Sequence, residues 1–124
     1  MSKILIIEDE PFLAEMYRDK FIKSGFDIIS AFSAEQGLEI VQKEKPDLIL
    51  LDIILPEENG VTFLGWLREV TEIASIPVLV FSNYDDEETK KKAFKLEAKD
   101  YLIKTNHTPG ELVAKIEQIL GNER

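Results

Sequence analysis

The sequence predicts an α/β domain of three layers, in which five helices cover the two faces of a five-stranded parallel sheet. Three observations carry this. Short runs rich in Ile, Leu and Val recur along the 124 residues at 3–8, 27–31, 48–52, 77–81 and 99–103. Between them lie stretches of about 10 to 14 residues whose apolar positions repeat at helical spacing. The first, third and fourth runs are apolar almost without interruption, as strands buried on both faces of a parallel sheet are.

Each helix has its own signature. After the first run, Leu13, Met16, Tyr17 and Phe21 share a face, Pro11 suits the first helical position with Asp9 or Glu10 as cap, and Gly25 suits the end. Ala34, Gly37, Leu38 and Val41 form the second stripe, opened by a capping box from Ser33 to Gln36. Phe63, Leu64, Leu67 and Val70 form the third. The fourth stretch, 85–96, begins Asp-Asp-Glu-Glu-Thr-Lys-Lys-Lys and offers only Ala93, Phe94 and Leu96 as an apolar face. That predicts a helix weakly held to the core, with Lys90, Lys91 and Lys92 on a solvated face. Leu112, Val113, Ile116, Ile119 and Leu120 form the last stripe, from a capping box at Thr108 and Glu111 to an end at Gly121. Phe12 and Trp66 lie off or at the margin of their stripes.

Composition narrows the function. Hydrophobic residues are 44% and charged residues 31%, which is globular composition, and the length fits one domain over 1–124 with no linker, repeat or output domain. The apolar runs are too short to span a bilayer and the N-terminus is no signal peptide, so a soluble, cytoplasmic protein is expected. The absence of cysteine excludes disulfides and thiol redox chemistry. Fifteen Lys+Arg against 24 Asp+Glu give a net charge of −9, which argues against direct nucleic-acid binding.

In open α/β sheets the functional crevice lies at the carboxyl ends of the strands. Those ends carry Glu8 and Asp9, Asp52, Ser82 and Lys104, which meet if the strands adopt the flavodoxin-like order 2-1-3-4-5. Two carboxylates about 5 Å apart repel by about 3 kcal/mol at an effective dielectric of about 20, so three mutual pairs cost roughly 10 kcal/mol. That rivals the stability of a small domain. Lys104 alone is not expected to cancel it; either a carboxyl keeps its proton or a divalent cation binds. Mg²⁺ suits one or two carboxylates with a carbonyl and waters, whereas a single histidine, His107, counts against zinc. A carboxylate beside Mg²⁺ can attack a phosphoryl donor and become an acyl phosphate. Asp52 fits the nucleophile, Glu8 and Asp9 the metal pocket, Lys104 a counter-charge and Ser82 a hydrogen bond to a phosphoryl oxygen.

Over essentially its whole length the chain resembles the receiver domain of two-component response regulators. The resemblance rests on Ile4 to Pro11 with the Glu8-Asp9 pair, Asp47 to Gly60 around Asp52 with Pro56 and Asn59, Ser82 after Pro77-Val-Leu-Val-Phe, and Ala98 to Lys104 with Tyr101. It implies that Asp52 takes a phosphoryl group from a phosphohistidine on a sensor histidine kinase or histidine phosphotransfer domain. It also implies that the acidic pair and the Ile54 carbonyl hold Mg²⁺ with Asp52. Ser82 then moves toward the phosphate and Tyr101 turns inward, reshaping the face of helix 4, strand 5 and helix 5 toward a downstream protein target. Such a protein is a switch and not an enzyme, catalysing only the formation and loss of its own aspartyl phosphate.

Three positions depart from the receiver pattern. Thr105 follows Lys104 where a cis proline is usual, Asn83 follows Ser82 where a small residue is usual, and Glu97 stands where glycine is common. They sustain an alternative, a pseudo-receiver serving as a constitutive protein-interaction module. Blander roles also exist: Glu8 and Asp9 as helix caps, Ser82 as a loop residue, Tyr101 as an edge-strand aromatic. A phosphatase of haloacid-dehalogenase type is disfavoured because Ile54 replaces its second acid. Flavodoxin-like cofactor binding is disfavoured because Glu8-Asp9-Glu10-Pro11 is no phosphate cradle.

Overall fold

Capping chemistry sets the helix starts in the computed structural model, which describes residues 1–123. The order is β1 (Lys3–Ile7), α1 (Pro11–Lys23), β2 (Asp27–Ala31), α2 (Ala34–Glu44), β3 (Leu48–Leu51), α3 (Gly60–Glu69), β4 (Val78–Ser82), α4 (Glu87–Lys95), β5 (Asp100–Ile103), a 3₁₀ turn (Lys104–Asn106) and α5 (Pro109–Glu123). Glu10 caps α1 by accepting from the Phe12 N–H, and Ser33 caps α2 by accepting from the Gln36 N–H. Thr108 and Glu111 exchange the two hydrogen bonds of a capping box, at 2.7 and 3.1 Å. Asp86, which the sequence reading placed inside the fourth helix, is its cap instead, accepting from the Thr89 N–H and hydroxyl.

All five strands are parallel, in the order β2-β1-β3-β4-β5. Alternation along each strand divides the core in two. Ile4, Ile6, Leu48, Leu50, Leu79, Phe81 and Leu102 face α1 and α5, while Leu5, Ile7, Ile49, Leu51, Val78, Val80 and Tyr101 face α2, α3 and α4. Among the described residues no helix is long and apolar enough to cross a membrane.

Several expectations change. Met16 is 45% exposed, because the buried stripe of α1 runs through Ala14, Tyr17 and Phe21. Gly121 does not end the last helix, which continues to Glu123; an exposed glycine with no positive φ prolongs a helix at a cost of about 1 kcal/mol. On α4 only Ala93 is buried and Phe94 is half exposed, so that helix grips the core even less than its sequence implies.

Polar contacts supplement the small apolar grip of α4. Arg68 on α3 donates to the carbonyls of Leu96 and Glu97 at 2.8 and 3.2 Å, and to those of Ala74 and Ile76 at 2.8 and 3.0 Å. One guanidinium thereby satisfies the open carbonyl end of α4 and the connection into β4. Glu97 takes φ 64°, the left-handed conformation that glycine adopts freely, so this departure from the receiver pattern leaves the end of the helix strained.

Gly60 ties the fold to the site. A Cβ there would lie 2.5 Å from the Asp52 carbonyl oxygen and 2.9 Å from the Ile53 Cα, both backbone atoms. At Gly37 the nearest atom, 2.6 Å away, is the flexible tip of Ile7. Gly60→Ala is therefore expected to lower the free energy of unfolding, measured by urea titration, by about 3 kcal/mol, and Gly37→Ala by about 1 kcal/mol. Equal losses would contradict the difference between backbone and side-chain obstruction.

Candidate functional site

Strand register assembles the site. Ile7 pairs with Leu51 across β1 and β3, so the residues that follow, Glu8 and Asp52, emerge side by side. The Asp52 N–H donates to the Ile7 carbonyl and the Glu8 N–H to the Ala31 carbonyl, both at 3.0 Å, fixing their directions. On the other side Ser82 pairs with Ile103, which places Ser82 and Lys104 at adjoining strand ends. An open crevice of about 340 Å³ results, lined by Glu8, Asp9, Asp52, Ile54, Ser82 and Lys104 among others.

The five residues singled out from the strand ends come together here. Lys104 Nζ lies 2.7 Å from Asp52 Oδ2 and makes a second, shorter ion pair with Glu8 Oε1. Ser82 Oγ donates to Asp52 Oδ1 at 2.6 Å, the Ile54 N–H reaches the same oxygen at 3.3 Å, and the Glu10 N–H donates to Glu8 Oε2 at 3.1 Å. The Glu8, Asp52 and Lys104 side chains are no more than 9% exposed, whereas Asp9 is in solvent. This modifies the repulsion estimate, which treated the three carboxylates alike. Water screens Asp9, and the buried cluster of two carboxylates and one ammonium carries a single net negative charge.

Burial pushes the Glu8 carboxyl above its ordinary value of 4.5, against the lowering pull of Lys104 and the Glu10 N–H. Burial also works to lower Lys104, but its hydrogen bonds to Asp52 and Glu8 outweigh this and hold it above its ordinary value. Oxygens of Glu8, Asp9 and Asp52 lie within 4.8 Å of one another. An all-oxygen donor set with excess negative charge and no sulfur or imidazole fits a hard divalent cation.

A chain of hydrogen bonds leads out of the crevice. Ser82 Oγ accepts from the Tyr84 N–H at 3.2 Å, and the Tyr84 carbonyl accepts from the Tyr101 hydroxyl. Tyr101 is 8% exposed, with the Lys90 ammonium 5.8 Å from its ring centre. Its phenol is pushed up to about 12 by burial first, then by the charges of Asp52, Asp85 and Asp86. The Lys104–Thr105 peptide is trans, and the Thr105 N–H donates to Asn83 Oδ1 at 3.1 Å. Sequence reading noted Asn83 and Thr105 separately; nothing in the one-dimensional pattern pairs them. Arg68 and Gly60 were likewise missed as supports of the site, although Gly60 stands in the quoted Asn-Gly turn.

Residues 4–117 match the family model of the response regulator receiver domain. The alkaline phosphatase synthesis transcriptional regulatory protein PhoP of Bacillus subtilis (strain 168) is 34% identical over 119 residues, 96% of this chain and 48% of that protein. The BeF3-activated N-terminal receiver domain of Klebsiella pneumoniae RstA is 29% identical and superposes with a TM-score of 0.86, covering 95% of this chain and 97% of that one. A CheY-like response regulator receiver domain protein from Methanospirillum hungatei JF-1 superposes with a TM-score of 0.92 at 23% identity, covering 98% and 95%, a likeness of fold. The chain spans about half the length of the curated relatives it matches.

Three outcomes follow from the charge cluster. Lys104→Ala leaves Glu8 and Asp52 buried without a counter-charge and is expected to cost about 3 kcal/mol at neutral pH in metal-free buffer. Asp52→Asn leaves Lys104 paired with Glu8 and neutralises the cluster, raising the melting temperature by about 4 °C. Because Glu8 titrates higher folded than unfolded, the folded state binds the extra proton. Its contribution to metal-free stability therefore falls as pH rises from 4.5 through the folded value, and Glu8→Gln removes that slope. Melting curves against pH decide all three; an Asp52→Asn variant less stable than wild type would refute the charge argument.

Proposed function

Because this chain belongs to the response regulator receiver domain family of two-component signalling systems, we propose that it is a phosphorylation-dependent switch whose Asp52 accepts a phosphoryl group from a phosphohistidine. The donor is a sensor histidine kinase or a histidine phosphotransfer domain. Residues 1–124 act as a single receiver unit in the cytoplasm and report to a downstream protein.

The observation that carries this reading is the condition of the Asp52 carboxylate. It is 8% exposed at an open crevice, and each oxygen already meets a donor that can be handed on to an arriving phosphoryl group. One Asp52 oxygen attacks phosphorus; the P–O bond forms as the P–N bond breaks, and that electron pair leaves on the imidazole nitrogen. Lys104 and Ser82 exchange carboxylate oxygens for phosphoryl oxygens. Glu8, Asp9, Asp52 and the Ile54 carbonyl are the groups to hold Mg²⁺, which when bound supplies neutralisation of phosphoryl charge. Attack of water on the same phosphorus returns Asp52, so the only substrate hydrolysed is the protein's own acyl phosphate.

The signal leaves by the run from Ser82 through the Tyr84 backbone to Tyr101. A phosphoryl group adds about −1.5 to −2 of charge and draws the Ser82 hydroxyl toward it. Shifting Ser82 alters the turn that fixes the Tyr101 hydroxyl, and with it the face of α4, β5 and α5. The weak grip of α4 on the core favours such a response.

Intact mass after incubation with Mg²⁺ and acetyl phosphate tests the reading. One phosphoryl addition is expected on wild type, none on Asp52→Asn, and a slower addition on Lys104→Ala. Beryllofluoride with Mg²⁺ is expected to change the fluorescence of Trp66 in a saturable way. No addition and no response would favour the constitutive interaction module.

A further inference from the structure

We propose that Asn83 and Thr105 form a latch that positions Lys104 against Asp52; this rests on the phosphoacceptor reading above. The β4–β5 ladder ends where Ser82 pairs with Ile103, and the chain then turns through the 3₁₀ segment that carries Lys104. That segment has no side-chain cap, and its closing backbone bond, from the His107 N–H to the Lys104 carbonyl, is long at 3.4 Å. Asn83 meets it from the facing strand end, its Oδ1 accepting the Thr105 N–H at 3.1 Å. This side-chain bond continues the ladder one step past the last strand pair.

Its two ends are the residues that follow the two phosphoryl-side donors. Asn83 succeeds Ser82, whose hydroxyl is 2.6 Å from Asp52 Oδ1, and Thr105 succeeds Lys104, whose ammonium is 2.7 Å from Asp52 Oδ2. A latch at this point fixes the spacing between hydroxyl and ammonium, the dimension that a phosphoryl group on Asp52 must fit. The bond needs a short side-chain acceptor at 83 and an N–H at 105, which proline lacks. The two departures from the receiver pattern at 83 and 105 are thus halves of one device. Asn83 lines the crevice and its side-chain oxygen is engaged by the Thr105 N–H, so its role is positioning.

The test compares Asn83→Ala with wild type in three measurements. Exchange of the Thr105 amide hydrogen in metal-free protein is expected to quicken about fivefold, the worth of one exposed hydrogen bond. The initial rate of acyl-phosphate formation from acetyl phosphate at saturating Mg²⁺ is expected to fall about tenfold. The Mg²⁺ affinity, followed by Trp66 fluorescence, is expected to stay within about twofold. An unchanged amide overturns the latch, and a faster amide with an unchanged rate overturns its positioning role. A parallel loss of rate and Mg²⁺ affinity also overturns it, because that marks general disruption. Thr105→Pro removes the donor, so in that background Asn83→Ala is expected to leave the rate unchanged; an undiminished further loss overturns the proposal. If wild type takes no phosphoryl group at all, the phosphoacceptor reading fails while the amide measurement still decides whether the latch exists.

Discussion

One ammonium between two buried carboxylates is the interaction on which the site depends. Lys104 bridges Glu8 and Asp52 from the end of β5, across strands that are not its neighbours in the sheet. Without that bridge two anions would be held in a poorly solvated place with nothing to offset their desolvation. With it the cluster is tolerated but remains net negative. An oxygen-lined pocket of this kind, with excess negative charge, suits a hard divalent cation.

The sheet supplies the precision. Side chains that leave a parallel sheet just past the last paired residue start from backbones fixed by the ladder, and Glu8 and Asp52 do so from adjacent strands. The chain then passes through a turn at Glu57, with φ 66°, before Gly60 brings the start of α3 against the Asp52 carbonyl. The Gly60 N–H also donates to the Ile53 carbonyl at 2.8 Å, which ties the start of α3 to the backbone just after Asp52. The floor of the crevice is thus closely packed, while its rim is built from the loops after β4 and β5.

Much of this was legible in the sequence because it depends on periodicity and on chain order. Alternating apolar runs and helical stripes gave the elements, and the strand ends named Glu8, Asp9, Asp52, Ser82 and Lys104 as neighbours once the strand order was assumed. Met16 was misplaced because Leu13 and Met16 fit the stripe of α1 as well as Ala14 does, and only packing chooses between them. Gly121 was misplaced because a glycine permits a helix end without enforcing one. The charge estimate overstated the conflict since burial, which separates exposed Asp9 from buried Glu8, is a property of the fold. Arg68 left no trace: a guanidinium that binds four carbonyls looks in sequence like any arginine on a helix.

That arginine has a mechanical meaning. It grips the trailing end of α4, whereas the leading end hangs from the Asp86 cap beside the loop that carries Tyr84. One side chain on α3 thus joins the carbonyls just beyond α4 to the segment that enters β4, so three neighbouring elements share a single polar fastening.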